Sequence, residues 1–184
     1  MRRARSSFVA WPAVALSAVL ASACAPMQVH SYAPPEASVA TYRSYGWAVG
    51  DLGSTGDPRL DSNRFFVERV QRAADAELRR RGYERASVGA PDLMLHIHAR
   101  LSQRIEAAEL DHITGTCRDD CRATVFDEGT LLIDVVDART DALVWRGWAE
   151  RTILERVVDD QASMNQVIDK AVTAIFGRLP ARSL

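Results

Sequence analysis

The side chains best suited to chemistry in this sequence are histidines and cysteines near the middle of the chain. His96 and His98 stand two apart, a spacing that on a strand turns both imidazoles to one face. His112, Cys117, Asp119, Asp120 and Cys121 follow in the next segment. Two imidazoles completed by a thiolate or a carboxylate make the donor set of a zinc or copper site. The same two cysteines have a simpler use. An exported chain meets an oxidising compartment, where an even pair reads first as a disulfide. Only three residues separate Cys117 from Cys121, so the bond closes a small loop and stiffens a tip more than it stabilises a fold. The disulfide is the leading expectation. The alternative is a metal-binding domain using His96, His98, His112, Cys117 and Cys121, with His96 and His98 as the named ligands.

Other constellations offer less. Ser102, Ser163 and the histidines lack the glycines of a nucleophile elbow. Asp134 and Asp137 lie three apart, which on a strand sends them to opposite faces and excludes a carboxylate dyad. The glycines at 50, 53 and 56 have neither a Walker lysine nor dinucleotide spacing. No catalytic residue is therefore assigned, and the chain is read as not an enzyme. Glu128 and Glu150 are expected to meet Arg146 or Arg151 across a hairpin as solvated ion pairs. Trp145 and Trp148 fall on opposite faces of one strand. One belongs to the core; the other, Trp148, is a candidate anchor for a partner.

These residues need elements to hold them. Residues 42–49 read as a first strand, and a glycine-containing loop follows. A helix capped by Asp61 or Ser62 carries Phe66, Val70, Ala73, Ala74 and Leu78 on one face. Arg79, Arg80 and Arg81 suit its last turn, and Gly82 its left-handed cap. Leu93, Leu95, Ile97, Ala99 and Leu101 alternate with Met94, His96, His98 and Arg100 in a second strand. Residues 102–124 read as a long loop or hairpin tip. Strands over 129–137 and 143–153 form an antiparallel hairpin. A final helix starts near Asp159-Asp160 or Ser163 and buries Met164, Val167, Ile168, Ala171, Ile175 and Leu179. The expected architecture is an α/β (α+β) two-layer sandwich, a mostly antiparallel four-stranded sheet with two helices on one face, in the order strand-helix-strand-strand-strand-helix.

The composition agrees with one domain. The 184 residues are 47% hydrophobic and 26% charged, with a net charge of -1, which excludes wholesale disorder. Near-neutral charge argues against a protein built to bind nucleic acid. The ends divide the chain further. Arg2, Arg3 and Arg5 precede a thirteen-residue apolar run from Phe8 to Leu20, then Ala21-Ser22-Ala23, as in a secretory signal peptide. The run is too short to span a bilayer, which takes about 20 residues. Residues 1–23 are the expected signal, 24–40 a proline-containing tether with His30 exposed and idle, and 41–184 a single domain. Removing the signal leaves 20 basic against 24 acidic side chains.

Leu20-Ala21-Ser22-Ala23-Cys24 resembles the lipobox of bacterial lipoproteins. That resemblance implies a diacylglyceryl group on the Cys24 thiol and a fatty acyl group on its new amino terminus. No other cofactor is expected. With Ala25 next, it implies the periplasmic face of the outer membrane of a Gram-negative cell. Further along, Tyr45-Gly46-Trp47, Arg81-Gly82-Tyr83, Pro91-Asp92-Leu93, Glu128-Gly129-Thr130-Leu131, Asp134-Val135-Val136-Asp137 and Leu143-Val144-Trp145-Arg146-Gly147 resemble the bacterial lipoprotein family that carries domain of unknown function 4136. The resemblance spans about residues 40–180 and implies a small α/β envelope domain with no established activity. Its expected partners are the membrane, through the anchor, and an envelope protein, lipid or peptidoglycan. The segment around Cys117 and Cys121 reads as an insertion.

Overall fold

A computed structural model describes residues 26–48, 55–61, 63–106, 124–153 and 160–182. The residues expected to form the signal, the Cys24 lipid site, the Cys117–Cys121 disulfide and the His112 ligand lie outside them.

Six strands form one mixed sheet. They are β1 (Gln28–Tyr32), β2 (Ser44–Trp47), β3 (Glu84–Arg85), β4 (Leu93–Glu106), β5 (Thr124–Asp137) and β6 (Leu143–Ile153), in the spatial order β1-β6-β5-β4-β2-β3. A single turn α1 (Pro58–Asp61) precedes the two long helices, α2 (Arg64–Arg80) and α3 (Gln161–Phe176). The α+β class, the two helices and a mostly antiparallel sheet match expectation; the strand count and order do not, since six strands replace four. Residues 28–32, expected in the tether, pair antiparallel with β6 as an edge strand. Glu84 and Arg85 add a two-residue strand on the far edge. There β2 runs parallel to both β3 and β4. Near Val39 the chain makes a 3-10 turn, Val39–Thr41.

The strands β4 and β5 outrun their apolar alternation. Their ladder continues unbroken from Leu93↔Asp137 to Glu106↔Thr124, whereas the described part of β6 reaches Ile153 opposite Asp127. Backbone pairing between two adjacent strands sustains the outer rungs once side-chain patterning fades.

Register decides which side chains are buried. Leu93, Leu95, Leu101, Leu131, Ile133, Trp145 and Ala149 share the face covered by α2 and α3. The helices pack on each other there, with Arg69 of α2 bonded to Asp169 of α3. Gly147 is forced by this packing. A Cβ would overlap the Trp145 ring and lie 2.8 Å from Ile175 Cγ2.

Helix α2 is capped one residue after the expected Ser62 and two after Asp61. Asn63 is its cap, accepting from the Phe66 amide at 3.1 Å. Asp61 ends α1 instead and accepts from the Thr55 amide at 2.6 Å. Gly82, at φ +86°, takes the left-handed conformation expected of it after the helix. For α3 the expected cap is found: Asp160 accepts from the Ser163 amide at 2.8 Å.

Three aspartates accept from exposed backbone amides by their carboxylates. Asp137 accepts from the amides of Thr140 and Arg139 and from the Tyr42 hydroxyl, at 2.8, 2.9 and 2.9 Å. These donors, the Thr140 amide foremost, pull its carboxyl down to about 2. The Ser44 amide does the same for Asp92, and the Ser163 hydroxyl and amide for Asp160, both below the usual carboxylate range. A pKa lower in the folded state means stabilisation that is present above about pH 4 and lost as pH falls through the folded value. The urea midpoint is therefore expected to drop between about pH 4 and pH 2, and to drop less in Asp137→Asn. An identical profile in that variant would contradict this account.

Candidate functional site

The blocks that carry the family resemblance turn out to be fastenings. Tyr45 Oη and Trp47 Nε1 both donate to Asp75 Oδ1 on α2, at 2.9 and 3.0 Å, and Arg85 Nη1 donates to Asp75 Oδ2 at 2.9 Å. Burial, then the Asp75 bond, pushes the Tyr45 phenol up. One helical carboxylate thus ties α2 to β2 and β3. A second, Glu77, is buried at the end of α2, where it meets Arg80, Arg81 and the Thr173 hydroxyl. Tyr83 Oη donates to the carbonyls of Val39 and Pro180, at 3.2 and 3.0 Å. Each of these polar groups is spent on holding elements together.

The free chemistry lies on the opposite face of the sheet, which no described helix covers. Paired residues form rows across it: Tyr32–Arg146–Asp134–His96, then His30–Trp148–Leu132–His98, then Gln28–Glu150–Thr130–Arg100. In the first row Arg146 forks onto Asp134, with Nη2 to Oδ2 at 2.7 Å. That bond raises the guanidinium pKa. Arg146 thus pairs with neither Glu128 nor Glu150, as the sequence suggested, because Asp134 lies directly across from it in register.

His98 Nε2 approaches Asp134 Oδ2 at 3.4 Å. The two expected metal ligands, His96 and His98, do share this face. The nearest carboxylate, Asp134, is already engaged by Arg146. Among the described residues no three His, Cys, Asp or Glu side chains are grouped to hold a metal ion.

Trp145 and Trp148 separate as expected. Trp145 is core, and Trp148 stands half-buried on the helix-free face. There His30 of β1 stacks on it, ring centroids 5.2 Å apart and planes 25° from parallel. The sequence left His30 idle in a tether. The alternation in Gln28-Val29-His30-Ser31-Tyr32 was its one signal: Val29 falls opposite Ala149 on the core face, His30 opposite Trp148 on the other. Tyr32, 52% exposed, extends the same aromatic edge.

The sequence pattern of a family described as "Domain of unknown function (DUF4136)" matches residues 29–181. The chain belongs to the DUF4136 family. The match begins inside β1, so the family domain includes the edge strand. No curated protein matches the chain in sequence. Solved structures are similar at low identity, and one of them, with a TM-score of 0.54, shares the fold. A PDZ domain protein from Parabacteroides distasonis is 11% identical with a TM-score of 0.54, over 86% of this chain and 37% of that one. A PelC dodecamer from Paraburkholderia phytofirmans is 14% identical with a TM-score of 0.48, over 86% of this chain and all of that one. A minor lipoprotein from Acinetobacter baumannii is 14% identical with a TM-score of 0.40, over 78% and 98%.

No described helix is long and apolar enough to cross a membrane.

Proposed function

We propose that this DUF4136 chain is a cell-envelope lipoprotein. Acylated Cys24 holds a non-catalytic domain against the periplasmic face of the outer membrane, where it serves envelope structure or binds a partner. The observation that carries the reading is the position of β1. It starts at Gln28, four residues after Cys24, so the anchor lies within about 14 Å of the sheet. The domain hangs on a leash and not on the tether expected over residues 24–40. Two or three acyl chains at that point give stable attachment where one gives only marginal binding.

The leash also orients the domain. Gln28 sits opposite Glu150, toward the end of β6. The β4–β5 arm and the N-terminal ends of α2 and α3 are at the same end of the sheet, since each follows or precedes a strand terminus there. That end faces the lipid. The helix-free face, with Trp148, His30 and Tyr32, stands beside it and is the surface offered to a protein, lipid or peptidoglycan partner. Aromatic and arginine side chains of this kind are enriched at binding surfaces.

Metabolic labelling with palmitate tests the anchor. Wild-type chain is expected to take up label and sediment with outer membranes. Cys24→Ser is expected to be unlabelled and soluble. A wild-type chain that takes up no label refutes the reading.

A further inference from the structure

A cavity of about 50 Å3 lies between the helices and the sheet, near the end that carries the anchor. Its lining includes Met27, Leu60, Phe66, Ile153, Met164 and Ile168. Interiors are packed closely enough that voids larger than a water molecule are few, and an apolar void stays dry and accepts apolar guests. Met27 and Met164 both line it and are only partly buried, so the cavity approaches the surface at these two side chains. Methionine is unbranched and adapts its shape to irregular neighbours, so both can yield to a guest. A cavity of about 150 Å3 holds benzene. The present one takes a few methylenes as it stands, and more once the methionines move.

What distinguishes this void is what lies next to it in the chain. Met27 follows Cys24 by three residues, a reach of about 11 Å. Any acyl chain on Cys24 therefore starts within that distance of the apolar wall. We propose that the cavity receives the terminal carbons of one acyl chain carried by Cys24, while the remaining chain or chains enter the bilayer. This rests on the reading of Cys24 as the acylated residue. It adds that the lipid is a ligand of the domain as well as an anchor. One chain lodged beside Met27 fixes the orientation of the sheet relative to the membrane, which a leash alone only limits.

The test uses the full-length chain in its membrane. Cells are fed a palmitate analogue carrying a diazirine at its far end, the membranes are irradiated, and crosslinked peptides are mapped by mass spectrometry. The expected adduct joins the Cys24 peptide to the peptide containing Met164 and Ile168. In Met164→Trp, which fills the cavity from its exposed side, that adduct is expected to fall at least tenfold with Cys24 labelling unchanged. Should Met164→Trp fail to fold, Ala99→Leu, which narrows the same cavity from β4, replaces it. A labelled Cys24 whose only adducts are with phospholipid overturns the proposal and leaves the anchor intact. Adducts in which a phospholipid acyl chain occupies the Met164 peptide also overturn it. A chain with no label on Cys24 overturns both the proposal and the reading beneath it.

Discussion

Replacing Trp145 by alanine is expected to lower the free energy of unfolding by about 4 kcal/mol, the middle of the range for deleting a buried aromatic side chain. The indole is 2% exposed and stacks on Phe176 with centroids 6.0 Å apart. It also passes over Gly147, whose missing side chain makes the room. The void left behind is walled by α3 on one side and β6 on the other, so it cannot collapse without moving a helix. The control is Trp148→Ala on the same strand. That ring is half-buried on the helix-free face, and its removal opens to solvent and leaves no sealed void. Its expected cost is about 1 kcal/mol. Urea titrations of the two variants decide the matter. Equal losses would contradict the assignment of the two faces. Natural domains are stable by only about 5–15 kcal/mol, so Trp145→Ala is also expected to accumulate poorly in cells.

The second large effect belongs to Glu77. Its side chain is 4% exposed, yet it carries a carboxylate on the buried side of α2. Arg81 Nη1 meets Oε2 at 3.0 Å, the Thr173 hydroxyl donates to Oε1 at 3.0 Å, and Arg80 closes the set. Arg81 continues to the carbonyl of Leu179 at 3.3 Å. One acid thus joins the end of α2 to α3 and to the segment after it. Glu77→Ala strands the Arg81 guanidinium, which is only 19% exposed. The expected loss is about 3 kcal/mol, at the lower end for breaking a buried pair because Arg80 is free to turn to water. Glu77→Gln keeps an acceptor for Thr173 and is expected to lose roughly half as much. If the alanine variant unfolds at the wild-type urea concentration, the carboxylate does not fasten the helices.

Much of this was legible because it was local. The limits of β6, the apolar stripe of α3, the left-handed Gly82 and the division of Trp145 from Trp148 all follow from periodicity and backbone preference within one element. What escaped depends on partners far away in the chain. Strand β1 is five residues long and mostly exposed. It forms because β6 offers a free edge, and the brief alternation within residues 28–32 is too short a signal to announce that edge. The two-residue β3 exists only as a parallel neighbour of β2. The Asn63 cap was missed because Asp61, a good cap by type, closes a separate turn. Of the candidate site, His96 and His98 were placed correctly on one face. The bond from Arg146 to Asp134 was not foreseen, because it depends on register across the hairpin and the notional partners Glu128 and Glu150 are equally acidic.

The proposed lipid anchor would hold one end of this domain to the membrane through a very short leash. A fluorescent amino acid placed at Gln28 or at Thr140, both exposed, measures it directly in native membranes containing headgroup-linked quenchers. Thr140 follows the far end of β5, roughly 23 Å along the strand from the level of Gln28. Strong quenching at position 28 with little at position 140 is the predicted result. Equal quenching at the two positions would contradict it.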